Sequence, residues 1–166
     1  MTVWPTQAEA SNFFGNPRGK NPAHASPAWE VSNLVYITPP FRMTYDGKPI
    51  TKIRCHKKVA GSLANILMAI WAAAKHDQAV VDSWGASIYG GCYNYRLTRS
   101  GARLSMHAMG IAIDLDPARN LQGNSRPHFA RVSEVVKCFK EAGWIWGGDW
   151  SGKSIDGMHF QAARVI

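Results

Sequence analysis

Two short runs of the chain hold most of the side chains able to do chemistry. Ser105-Met106-His107-Ala108-Met109-Gly110-Ile111-Ala112-Ile113-Asp114 supplies an imidazole and a carboxylate, and Asp156-Gly157-Met158-His159 supplies another of each. Two histidines and a carboxylate are the side chains of an open zinc site, where three protein ligands leave a fourth position for water. His107, Asp114 and His159 are therefore candidate ligands, with Zn2+ as the candidate ion. A plainer reading stands beside each: a histidine is also a hydrogen-bonded core or surface residue, and an aspartate at a strand end is also a turn former. Asp156-Gly157 reads equally as an Asp-Gly turn. Cys92 with His107 would make a Cys-His nucleophile pair, yet nothing around Cys92 points to an activated thiolate. Ser105 either hydrogen-bonds a ligand or caps the turn that follows it. Trp144, Trp146 and Trp150, three of the seven tryptophans, either wall a groove or fill a core.

These groups need elements to hold them. Gly110 to Asp116 alternates Ile111, Ile113 and Leu115 against Ala112, Asp114 and Asp116, a strand with one apolar and one acid-bearing face. Gly110 lets the chain turn closely after His107. Trp144 to Trp146 and His159 to Ala162 read as two further strands, and Ser87 to Tyr95 as a strand leading into a basic loop. Asn33 to Ile37 and Pro49 to Cys55 read as strands joined into a hairpin, with the Asp-Gly signal in Tyr45-Asp46-Gly47-Lys48. Val59 to His76 carries Leu63, Leu67, Ile70, Trp71 and Ala74 at helical spacing, and Arg131 to Ala142 does the same before Gly143. Residues 1–28, rich in Pro, Asn, Gly and Ser, read as an irregular arm with one helical stretch, Gln7 to Phe14, anchored by Trp4, Phe13 and Phe14. The mixed order of elements predicts an α+β domain spanning 1–166, with an antiparallel sheet packed against helices and the metal site on the sheet.

Composition narrows the function classes. With 46% hydrophobic and 18% charged residues in 166, the chain is too apolar for disorder and is the size of one domain. The longest apolar run, Ile66 to Ala74, falls far short of the roughly 20 residues of a membrane-crossing helix. The first residues show no secretory leader, so synthesis is expected in the cytoplasm. Three scattered cysteines exclude a disulfide framework. Nineteen Lys and Arg against eleven Asp and Glu give a net +8. No carboxylate lies between Asp82 and Asp114, where Arg96, Arg99 and Arg103 cluster, and Lys48, Lys52, Arg54, Lys57 and Lys58 form a second basic run. That balance favours a polyanionic partner. No helix-turn-helix, zinc-finger or RNA-binding signature accompanies it, so nucleic acid is not the expected one.

The run S-x-H-x-x-G-x-A-x-D (Ser105, His107, Gly110, Ala112, Asp114), with W-G-G-D-W (Trp146 to Trp150) and D-x-x-H-F (Asp156, His159, Phe160), resembles the D-alanyl-D-alanine carboxypeptidase-like zinc peptidases. It is most similar to their branch of bacteriophage endolysins that cut the L-alanyl-D-glutamate bond of peptidoglycan. The resemblance covers about residues 89–161. It implies the small hedgehog/DD-peptidase fold, His107, Asp114 and His159 as zinc ligands, and Asp156 as general base. Asp156 stands where the vancomycin-resistance dipeptidases carry glutamate, in agreement with the endolysin branch. Tyr93-Asn94-Tyr95-Arg96 is similar to the family segment whose arginine faces the scissile carbonyl, which implies that role for Arg96, with Arg99 competing. Arg99, Ser105, Trp146 and Trp150 are the expected substrate contacts.

The function so implied is a peptidoglycan-degrading zinc endopeptidase working by zinc-activated water. Its substrate would be the stem peptide, and the basic surface would hold a monomeric enzyme to an anionic cell envelope at the wall. No wall-binding module is expected after His159. Two alternatives stand: a carboxypeptidase or dipeptidase removing D-alanine, and a non-catalytic hedgehog-like binding module with structural zinc.

Overall fold

A four-stranded antiparallel sheet holds the second half of the chain together, and two smaller two-stranded sheets and a long helix brace it. The computed structural model describes residues 1–98, 100–101 and 103–166. The N-terminal arm carries α1 (Ala10–Phe14) and then α2 (Pro27–Asn33). Ser26 caps α2 by accepting from Trp29 N–H, and Pro27 stands at its first position, where its missing N–H costs nothing. The helical stretch expected over Gln7 to Phe14 forms as a 3-10 turn, Gln7–Glu9, running into α1, and α2 starts where the arm ends, its Ser-Pro start signal in plain sight.

The four strands that follow are β1 (Leu34–Ile37), β2 (Met43–Tyr45), β3 (Lys48–Ile50) and β4 (Ile53–His56). The Asp-Gly turn forms where expected, with Asp46 and Gly47 both at positive φ (50° and 76°). It joins β2 to β3, however, and β1 pairs with β4 instead. The expected single strand over Pro49 to Cys55 is broken at Thr51 and Lys52, so its halves enter different sheets.

Helix α3 (Lys57–Ala73) buries Val59, Leu63, Ile66, Leu67 and Ile70, the stripe its spacing calls for. Its cap is His56: Nδ1 accepts from Lys58 N–H while Nε2–H donates to Phe14 O at 2.8 Å. Burial depresses the His56 pKa, which keeps the ring neutral with both nitrogens engaged. After α3 comes α4 (Gln78–Trp84), capped by Asp77 and closed by Gly85 at φ 86°, a further helix beyond those expected.

The main sheet runs β5 (Tyr89–Gly91), β6 (Ala112–Leu115), β8 (His159–Gln161), β7 (Ile145–Trp146) in spatial order, with α5 (Ser133–Glu141) between β6 and β7 in the chain. Alternation along β6 and β8 sorts the side chains. Ile113, Leu115 and Phe160 enter the core, where Phe160 stacks on Phe139 of α5 at 4.0 Å between ring centres. Ala112, Asp114, His159 and Gln161 take the other face. Asp116 does not share that face. The strand ends at Leu115, and Asp116 turns at φ 46° to a position 1% exposed, where its carboxylate accepts from Arg119 Nε at 2.6 Å.

Candidate metal centre and its cleft

Asp114 and His159 are opposite partners in the β6–β8 ladder, so strand register alone sets their side chains next to each other. His107 arrives by another route. It sits in a 3-10 turn, Met106–Met109, whose first N–H groups are capped by Ser105: Oγ accepts from His107 N–H at 3.3 Å. Gly110 closes that turn at φ 67°, in a gap where an added Cβ would stand 2.9 Å from the His56 nitrogen. No side chain fits there, and His107 depends on that fit.

The three residues converge. Asp114 Oδ1 lies 3.2 Å from His107 Nε2 and 3.1 Å from His159 Nδ1, and one ligand atom from each residue lies within 4.8 Å of the others. The outer ring nitrogens explain what the inner ones present. His107 Nδ1 is 2.8 Å from the Cys92 carbonyl, which can only accept, so Nδ1 carries the proton. His159 Nε2 is 2.9 Å from Gln161 Oε1, and the Gln161 amide Nε2 donates to Ala163 O at 2.7 Å, which fixes the amide's orientation and makes Oε1 the acceptor. In the neutral form each imidazole therefore turns a bare lone pair toward the same carboxylate oxygen. Two lone pairs facing an anion repel unless a cation stands among them, a proton or a metal ion. The donor set, two imidazoles and one carboxylate, fits zinc with a position left open.

The electrostatics agree. For Asp114, burial pushes the carboxyl pKa up, but the hydrogen bonds and charges of His107 and His159 outweigh burial and hold it well below the usual carboxylate range. For His159, burial pushes down, and Asp114 first, then Gln161 and the charge of Asp156, outweigh it and raise the pKa. Cys92 is no nucleophile: its thiol is buried, which raises its pKa well above that of a free thiol. Its contribution is the backbone carbonyl that orients His107.

A cavity of about 1020 Å³ opens over this cluster. Asp156, Arg96, Ser105 and Trp150 all line it. The Asp156 backbone is pinned on both sides, its N–H donating to Gly147 O and its carbonyl accepting from His159 N–H. Arg96 is exposed, and its carbonyl accepts from Ser105 N–H at 3.0 Å, so the arginine and the cap of the His107 turn are fixed to each other. Trp150 packs its ring against His159 at 5.5 Å, and its Nε1, shut off from solvent, has no hydrogen-bond partner among the described residues. Trp146 is not brought to the cleft. Its indole N–H donates to Gly157 O at 2.8 Å and its ring faces Lys140 on the far side. Arg99 lies outside the described residues. Gln161 went unnoticed in the sequence, where only its place two residues after His159, on the same strand face, could have marked it. The arm also lines the cavity through Gln7, Ala8, Ser11 and Arg18, which no sequence signal announced.

Residues 98–162 match the family model described as D-alanyl-D-alanine carboxypeptidase. The matched stretch contains all three converging residues and Asp156, which supports kinship with that family. No curated protein and no solved structure matches the chain.

Proposed function

We propose that this protein is a zinc-dependent peptidase of peptidoglycan stem peptides, an endolysin-like endopeptidase whose bond is L-alanyl-D-glutamate. The observation that carries the reading is the pair of bare imidazole nitrogens aimed at Asp114 Oδ1 on the floor of an open cleft that Asp156 also lines. His107 Nε2, His159 Nδ1 and Asp114 would hold the ion. Zinc in such a site supplies Lewis acidity, polarising a carbonyl and bringing the pKa of water down to roughly 7.

The rest falls to the chain's own groups. The Asp156 carboxylate accepts the proton of the attacking water and returns it to the leaving amine nitrogen, the work of a positioned general base. Arg96 donates to the carbonyl oxygen as that oxygen gains charge, a contribution worth about a hundredfold or more in rate. Trp150 Nε1 offers its donor to a substrate oxygen inside the cleft. Ser105 acts through the turn it caps. A net positive cleft suits a carboxylate beside the scissile bond, and the +8 chain suits an anionic envelope. The enzyme then acts as a monomer at the cell wall.

The family description favours a second reading, removal of a terminal D-alanine by the same groups. One experiment separates the two. Purified sacculi should lose turbidity with the protein, stop doing so with chelator, and resume with zinc, and mass spectrometry should find new L-alanine carboxyl ends. Release of free D-alanine alone would transfer the assignment to the carboxypeptidase reading. No chelator-sensitive product from any wall peptide would refute both.

A further inference from the structure

The mechanism above leaves part of the cleft wall unused, and that part is basic. Arg18 and Arg103 line the same cavity as the metal cluster, beside Arg96. Among the described residues none of the three pairs with a carboxylate. The carboxylates that line the cavity among those residues are Asp114, already engaged by two imidazoles, and Asp156. Three guanidinium groups around one cavity repel each other and are relieved by an anion between them.

The Arg18 position is built rather than incidental. Its backbone N–H and its Nη1 both donate to Asn16 Oδ1, at 3.1 and 3.3 Å. Arg18 bridges to Ala25, and Ser26 N–H donates to Pro17 O at 2.7 Å, which closes this loop of the arm. Tyr95 O–H then donates to Pro22 O at 2.7 Å and ties the loop to the residue before Arg96. Arg103 is held from the other side, since its carbonyl accepts from Thr98 N–H at 2.7 Å and Leu97 bridges to Leu104. An arm outside the family-matched stretch thus presents a cation to the cleft on a fixed backbone.

We infer that Arg18 and Arg103 form a second anion subsite, which binds a free carboxylate of the substrate peptide several bonds away from the scissile one. The inference rests on the peptidase reading of this cleft and adds its specificity: acidic stem peptides are taken and amidated ones refused. Arg96 stays with the carbonyl beside the metal ligands. A guanidinium meets a carboxylate through two parallel N–H donors, a pairing an amide cannot replace.

The test uses the zinc-loaded full chain and three synthetic peptides, L-alanyl-D-glutamyl-L-lysyl-D-alanine with both carboxylates free, with the glutamyl carboxylate amidated, and with the terminal carboxylate amidated. The amide of the terminal carboxylate, which lies several bonds from the scissile one, should raise KM by about tenfold or more, and the glutamyl amide is the comparison. Arg18→Gln and Arg103→Gln should erase that discrimination by weakening the free acid alone, whereas Lys20→Gln, a charge loss on the same arm away from the cleft, should preserve it. Variants that discriminate as well as wild type would overturn the subsite. Calorimetric titration of the same peptides keeps this result apart from the peptidase reading: preference for the acid that depends on Arg18, without cleavage, would sustain the subsite and sink the hydrolase. Equal binding of acid and amides by wild type would sink the subsite whatever is cleaved.

Discussion

The two halves of the cleft are made in opposite ways. The half bearing His107, Asp114, Asp156 and His159 is held by regular geometry: an antiparallel register sets Asp114 against His159, and one 3-10 turn closed by a glycine delivers His107. The half bearing Arg18 is irregular backbone fastened at distant points. Thr6 bridges to Arg164, Gln7 N–H donates to Arg164 O at 2.7 Å, and the Phe14 carbonyl accepts from both Trp29 Nε1 and His56 Nε2. A metal site needs donors fixed to fractions of an ångström, and strand register supplies that precision even between residues 45 apart in the chain. A binding wall, the role proposed for the Arg18 half, tolerates a looser construction, provided that remote contacts hold it.

Substitutions that separate the halves should therefore give different kinds of damage. The largest effect belongs to Asp114→Asn, which removes the charge shared by the two histidines; activity on sacculi should fall on the order of a thousandfold or more, and bound zinc should be lost. Asp156→Ala should cost roughly 10²–10⁴-fold in kcat with zinc retained, since the role proposed for Asp156 is to move a proton and not to hold the ion. If Asp156→Ala lyses walls as fast as wild type, the general-base role is wrong. Phe14→Ala attacks the other half: the ring is 1% exposed, so stability should drop by about 3–5 kcal/mol, read in a denaturant melt, while metal content at low temperature stays unchanged.

Smaller effects sharpen the same contrast. Gln161→Leu leaves all three candidate ligands in place but frees the His159 ring, and zinc affinity measured by chelator competition should fall about 10- to 100-fold. In the metal-free protein pH should act through the same cluster. His159, with a raised pKa, contributes stability that is present below the unfolded value near 6.5 and is lost as pH rises through the folded one. Asp114, with a lowered pKa, contributes above about 3.9 and loses it only in strong acid. The melting temperature of the zinc-free chain should thus decline by a few degrees through the titration of His159, and zinc should abolish that decline. A flat melting profile in the zinc-free chain would contradict the coupling.

The same division governed what the sequence disclosed. Ile113 and Leu115 alternate with Asp114 over a period of two, and a period of two is visible in any strand, so the face that carries Asp114 could be read directly, though not the turn that takes Asp116 off it. The amphipathic stripes of α3 and α5 were equally plain, through Leu63 and Leu67 or Val135 and Phe139. Partner choice was less so: Asp46-Gly47 announced a turn, but nothing local said that β1 would pair with β4 across it. Trp146 and Trp150 look alike in the chain, and only the fold sends one indole to Gly157 and the other to the cleft. Arg18 was hidden for the deepest reason, since its place depends on contacts with residues as far along the chain as Tyr95 and Arg164.

Cobalt substitution addresses the metal centre most directly. The full chain titrated with Co2+ should develop the visible absorption of a four-coordinate site, saturating at about one ion per chain, and both His107→Ala and His159→Ala should abolish it. A wild-type chain that binds no cobalt, or either variant giving the wild-type spectrum, would mean that these residues do not hold an ion and that the cleft works by some other chemistry.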